Sequence, residues 1–141
     1  MNIHDAYNNL HQSLEHVLSG ASQSMALMSP RHQQVAPHLN KYMEQMAMSG
    51  HFFSAAHGEN KYDEASHHLE NMQDALKAMH QVSHYQTGKD SALTKVYGAT
   101  APKFHAAADD YREAAGTHAP ALSNRFEEIM KNSNLNGQQF S

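Results

Sequence analysis

The chain reads as all-α: an up-down-up-down antiparallel four-helix bundle, followed by a short fifth C-terminal helix and an extended polar tail. Breakers fall at an even beat, at Ser29-Pro30, Gly58, Gly88 and Gly116-Thr117, with a spacing of about 29 residues. Within every interval apolar residues recur at steps of three and four, and none shows the strict alternation of a half-buried strand. The implied helices are 3–28, 30–57, 61–86, 90–115 and 119–131. Residues 1–131 then form one helical domain and 132–141 a polar tail, as expected for a chain of 141 residues.

The first helix carries its apolar stripe on Ile3, Tyr7, Leu10, Leu14, Val17, Ala21, Met25 and Met28. Ser29 reads as the N-cap of the second helix, with Pro30 at the first position, where a missing N–H costs nothing. That helix continues the rhythm on Leu39, Met43, Met46, Gly50, Phe53 and His57. The third offers Tyr62, Ala65, Leu69, Met72, Leu76, Met79 and Val82, and Gly88 suits a left-handed residue beyond its end. Asp90 reads as the cap of the fourth, whose seam runs through Leu93, Tyr97, Thr100, Phe104, Ala107, Tyr111 and Ala115. Thr117 can cap the fifth, on Leu122, Phe126, Ile129 and Met130. Pro37 and Pro102 each kink or split a helix, and the unbroken phase of the seam across Pro102 favours a kink there. Segments of about 26 residues extend roughly 39 Å each, and short loops make consecutive ones antiparallel.

Composition limits the interior and the chemistry. Leu, Ile, Val and Phe fill only 21 positions, while 20 Ala and 9 Met supply further apolar contacts, so the core is lean. A net charge of −4 and a pI near 6.3 give no reason to expect nucleic acid. The longest apolar run, Met25 to Met28, is far short of a membrane span, and the N-terminus does not resemble a signal peptide, so synthesis in the cytoplasm is expected. Without Cys there are no disulfides, thiolate metal sites or Cys nucleophiles. No phosphate loop, dinucleotide fingerprint, nucleophile elbow or H-E-x-x-H is present, and no enzyme or cofactor is expected.

Thirteen His raise the question of metal. Ligands on one helical face need spacings of three or four, and only His80 and His84 meet that condition. His80-x3-His84 and His105-x4-Asp110 resemble fragments of the hemerythrin family, whose bundle holds a di-iron centre. That family's second-helix His-x3-Glu has no counterpart, because Ala55 follows His51 by four and Lys61 follows His57. The ferritin-like pattern of two Glu-x-x-His copies is matched once, at Glu64 and His67. Antiparallel topology draws His4, His11, His51, His57, His67, His68, His105 and His118 toward one half of the molecule, with His57 and His68 on or beside the apolar seams. Protonating every His would move the formal charge from −4 to +9, which defines an alternative reading as a pH-responsive or metal-binding bundle centred on His80, His84, His57 and His68.

The main functional expectation comes from the surface. Charged residues are 17% of the chain, below the usual value of about 25%, while Asn, Gln, Ser and His together make up 46 positions. Uncharged polar side chains suit a surface held against other protein, where buried charge is costly. The chain is therefore expected to be a non-enzymatic structural or accessory component of a large assembly, most economically a virus or phage particle. Its partners would be other subunits, such as a capsid or shell protein, or further copies of itself. Leu135 and Phe140 would anchor the tail on such neighbours.

Overall fold

In a computed structural model of the chain, residues 1–118 are described; the expected fifth helix and the tail, with Leu135 and Phe140, lie outside the described residues. The described part is an all-α bundle of four long helices: α1 (Ile3–Ala26), α2 (Ala36–Gly58), α3 (Tyr62–Thr87) and α4 (Ala92–His118). A single turn of 3-10 helix, Gln33–Val35, leads into α2.

Local chemistry sets most of the helix ends. Asn2 caps α1 by accepting from the Asp5 amide at 2.9 Å, and its own side-chain amide donates to the Asp5 carboxylate at 3.0 Å. The acid also sits where the helix dipole favours negative charge. The second helix starts six residues later than Ser29-Pro30 suggests. A helix through Pro37 would lose the proline's backbone bond to Gln33, whereas a start at Ala36 puts Pro37 in the first turn, where no N–H is needed. Residues between the helices close on themselves instead: the Gln33 side chain donates to the Met28 carbonyl at 3.0 Å, covering the end of α1. Between α2 and α3 the left-handed residue is Asn60 (φ 62°), not Gly58, which still belongs to α2. Asn60 accepts from the Tyr62 hydroxyl at 2.9 Å and so fixes the start of α3.

The α3–α4 turn has the expected positive-φ glycine, Gly88 (φ 93°), but Ser91 takes the capping role assigned to Asp90. Its hydroxyl accepts from the Thr94 amide at 3.1 Å. Buried Thr94 donates to the Gly88 carbonyl at 2.7 Å and meets the sealed Ser83 hydroxyl at 2.8 Å, so one threonine ties the turn to both helices. The fourth helix runs unbroken past Pro102. Of the two prolines, Pro37 therefore marks a boundary and Pro102 lies inside a continuous helix.

Ring contacts establish the up-down-up-down arrangement. Tyr7 near the start of α1 stacks on His57 at the end of α2, and His57 bonds Tyr111 near the end of α4. Backbones approach most extensively along α2–α3 and α1–α4, less along α3–α4 and far less between α1 and α2. The wide α1–α2 seam is bridged by side chains, with the Tyr7 hydroxyl donating to Ser54 at 2.9 Å. Gly50 permits a close approach there: a Cβ at this position would come within 2.7 Å of a Leu14 methyl.

The predicted seams are the observed core. Ile3, Leu10, Val17 and Ala21 of α1 are buried with Leu39, Met46 and Phe53 of α2 and with Leu69, Met72, Leu76 and Met79 of α3. Tyr7, Leu14, Met25, Met43 and Val82 pack half-buried around them. From α4, Tyr97, Phe104 and Tyr111 enter with no exposed surface. Thr94→Val keeps this shape but leaves the Gly88 carbonyl and the Ser83 hydroxyl without their shared partner. It is expected to cost about 1–3 kcal/mol, read as a lower urea midpoint with unchanged helicity.

Candidate functional site

Three surfaces or clusters concentrate chemistry, and each is built from two or more helices. The first is a ring cluster at the end where α1 and α3 begin. His57 is buried there because position 57 continues the apolar seam of α2. Tyr7 stacks on it with ring centres 4.2 Å apart, and His4 meets it edge-on at 5.7 Å. Its Nδ1 lies 2.9 Å from the Tyr111 hydroxyl. Burial raises the Tyr111 pKa, followed by smaller contributions from Tyr62 and Tyr7, so the phenol keeps its proton and can donate it to the imidazole. Shape and hydrogen bonding hold His57 here as part of the core.

The second is a polar relay across α3 and α4. Arg112 donates to the Gln73 side-chain oxygen at 2.6 Å, and the Gln73 amide nitrogen stands 2.9 Å from Nδ1 of His105. Arginine can only donate, so Gln73 must turn its oxygen toward Arg112 and its NH2 toward His105. Nδ1 of His105 is then an acceptor, and the ring hydrogen resides on Nε2. Burial first, and then Lys77, lower the His105 pKa; Asp109 opposes them and Arg112 adds a further downward push. The neutral imidazole is held by geometry and by charge together.

That imidazole lines a groove of about 400 Å³ between α3 and α4, with Lys77, His80, Gln81, His84 and Tyr85 along its walls and Leu76 and Ala101 among its lining. A second groove, of about 570 Å³, runs between α2 and α3. Met48 (61% exposed) and Phe52 (48% exposed) stand on its rim at a four-residue spacing, with Tyr42, His68 and Asn71 beside them.

No family model, curated protein or solved structure matches the chain.

The four histidines singled out by sequence therefore divide among three places. His80 and His84 share the α3–α4 groove, His57 is in the ring cluster, and His68 faces Phe52 at 5.6 Å on the α2–α3 side. Among the described residues no three His, Asp or Glu side chains converge closely enough to hold a metal ion. The gathering of histidines at one end is seen for His4 and His57, with His11 stacked on Tyr7. Sequence reading missed the union of His105 with His80 and His84, and the exposure of Met48. It also missed Gln73 and Arg112, whose roles depend on neighbours 32 and 39 positions away. No helix among the described residues is long and apolar enough to cross a membrane.

Two outcomes follow from this geometry. Tyr111→Phe removes the hydroxyl beside His57 while keeping the ring; stability measured by urea denaturation is expected to drop by about 0.5–1.5 kcal/mol. The unfolded chain binds a proton at His105 near the ordinary value of 6.5, and the folded chain resists it. The stability contributed by the neutral ring is therefore complete above pH 6.5, declines below it and is lost as pH falls through the depressed folded value. His105→Gln is expected to flatten this part of the stability profile between pH 7.5 and 5, measured against the parent chain.

Proposed function

We propose that the chain is a non-enzymatic structural or accessory subunit of a large protein assembly, of which a virion is the specific form we favour. The observation that carries this reading is the α2–α3 groove, where Met48 and Phe52 hold apolar surface toward solvent in the company of amide, hydroxyl and imidazole side chains. Apolar side chains clustered on a rigid face, with few charges to desolvate, favour association with another protein. Asp74 is the single charged residue lining that groove. The low overall content of charged residues supports the same reading. The partner surface would supply apolar and uncharged polar side chains from a shell or capsid subunit, or from a further copy of this chain.

A second reading, a proton-responsive bundle, is supported by the Arg112–Gln73–His105 relay, which accommodates only a neutral imidazole in its present arrangement. The two readings are compatible, since a proton taken up at α3–α4 would act on a face next to the docking groove.

Fractionation of native material by size, followed by mass spectrometry, tests the assembly reading. The chain is expected to co-sediment with a large particle at a fixed copy number. Recovery only at the mass of a free monomer would refute it. A Met48→Ser, Phe52→Ser double variant is expected to lose incorporation while retaining helicity, because both side chains are substantially exposed in the isolated fold.

A further inference from the structure

We infer that the groove between α3 and α4 binds a small organic carboxylate carrying a short apolar body. The inference concerns a different face from the proposed docking groove and stands independently of the assembly reading. Its volume of about 400 Å³ lies within the range of small-molecule clefts, about 300–1,000 Å³. The chemistry of the walls is one-sided. Three imidazoles, from His80, His84 and His105, and the Lys77 ammonium line the groove, and none of its lining residues is acidic. In a chain whose formal net charge is −4, a cleft with a fixed cation and no carboxylate is a local reversal of sign. Such a cleft attracts and holds anions.

The Gln73 relay prepares one donor of this site in advance. Because Arg112 fixes the Gln73 oxygen, the amide fixes Nδ1 of His105 as an acceptor, and Nε2 must carry the hydrogen. Nε2 has no hydrogen-bond partner among the described residues and is not sealed from solvent. An N–H oriented by the core and left without a protein acceptor suits a carboxylate oxygen, which accepts only. Asp109, one turn further along α4, is the acid that acts on His105, and Arg112 lies 3.9 Å from it. Asp109 does not line the groove and makes no hydrogen bond to His105.

The apolar requirement comes from the remaining lining. Leu76 forms the sealed floor behind the groove and Ala101 is 6% exposed, so these two offer little surface themselves. The exposed apolar surface comes from the Tyr85 ring, which is 82% exposed and lines the groove. A ligand with a carboxylate at one end and a few carbons behind it places its charge near Lys77 and the imidazoles and its carbon chain against the Tyr85 ring and the edge of Ala101. A bare inorganic anion would use only the first half of this arrangement.

Octanoate is the probe, titrated into the full chain while the imidazole resonances are followed by heteronuclear NMR. Parallel titrations use octylammonium, which reverses the charge, and inorganic phosphate, which lacks the apolar body. Octanoate is expected to shift the resonances of His80, His84 and His105 saturably. Phosphate should shift the same residues with weaker affinity, and octylammonium should leave them unmoved. Lys77→Gln, at an exposed position, is expected to weaken octanoate binding about tenfold without altering thermal unfolding. The proposal is overturned if octanoate produces no saturable shift at these three histidines, or if octylammonium binds equally well. Phosphate binding as tight as octanoate, or an unchanged octanoate affinity in Lys77→Gln, would overturn it too.

Discussion

Tyr97, Phe104 and Tyr111 stand seven residues apart on α4, and all three rings are sealed from solvent. A seven-residue step brings a helical side chain back almost to the same direction, so the three rings form one stripe down the axis of the bundle. The other helices supply mostly Ala, Leu and Met to the interior, and these smaller or more adaptable side chains fill space around the rings. Two rings bring hydroxyls into the core, and each finds a partner: Tyr111 at His57 and Tyr97 at the Met79 sulfur, 3.6 Å away. The buried histidine is thus tied to the ring stripe. A tyrosine placed at that end of a lean interior needs a polar neighbour, and the seam of α2 provides one at position 57.

This arrangement also explains which part of the fold could be read from sequence. Helix identity and inward faces follow from a periodicity that depends only on the geometry of one helix, and the seams from Ile3 to Ala115 are found where the pattern places them. Helix ends depend on competition between nearby signals. Ser29-Pro30 has the composition of an N-terminus, yet Pro37 imposes the later start because its absent N–H is harmless only in a first turn. Asp90 and Ser91 can both cap; Ser91 is chosen because its hydroxyl bonds the Thr94 amide within a network that Ser83 and Thr87 complete. Gly58 marks the break between α2 and α3 in sequence, but the left-handed turn residue is Asn60, a residue type that adopts that conformation more readily than most non-glycine residues.

Functional geometry was less accessible for a different reason. Spacing reports neighbours along one helix, so His80 and His84 were visible as a pair. It does not report which residue of an adjacent helix stands opposite them. The arrival of His105 in their groove depends on the relative axial position of α3 and α4, and so does the placement of Gln73 between His105 and Arg112. Met43, Met46 and Met48 are all apolar and close in sequence, and such a cluster offers contacts to a core or to a partner alike. The structure buries Met46, half-buries Met43 and exposes Met48, following the angles at which these positions leave the helix. His68 lies beside its seam as expected, where it meets Phe52 and His67 and lines the α2–α3 groove.

The two grooves share α3 as a common wall, and this constrains any partner that uses either. Asp74 and Asn71 line the groove toward α2, while Lys77, His80 and Gln81 line the groove toward α4. Between them runs an exposed stripe, Glu70, Asp74, Lys77 and Gln81, at steps of four, three and four. Its charge changes sign midway, acidic beside the apolar groove and basic beside the imidazoles. A protein subunit seated over Met48 and Phe52 and extending across α3 would therefore meet a carboxylate first and an ammonium second. Matching that order requires a cation followed by an anion on the partner. The reversed order would place like charges together. The helix thus gives an otherwise weakly charged surface a direction: on the proposed assembly reading, apolar contact would supply attraction at α2–α3, and the polarity of the stripe would select the orientation in which that contact is made.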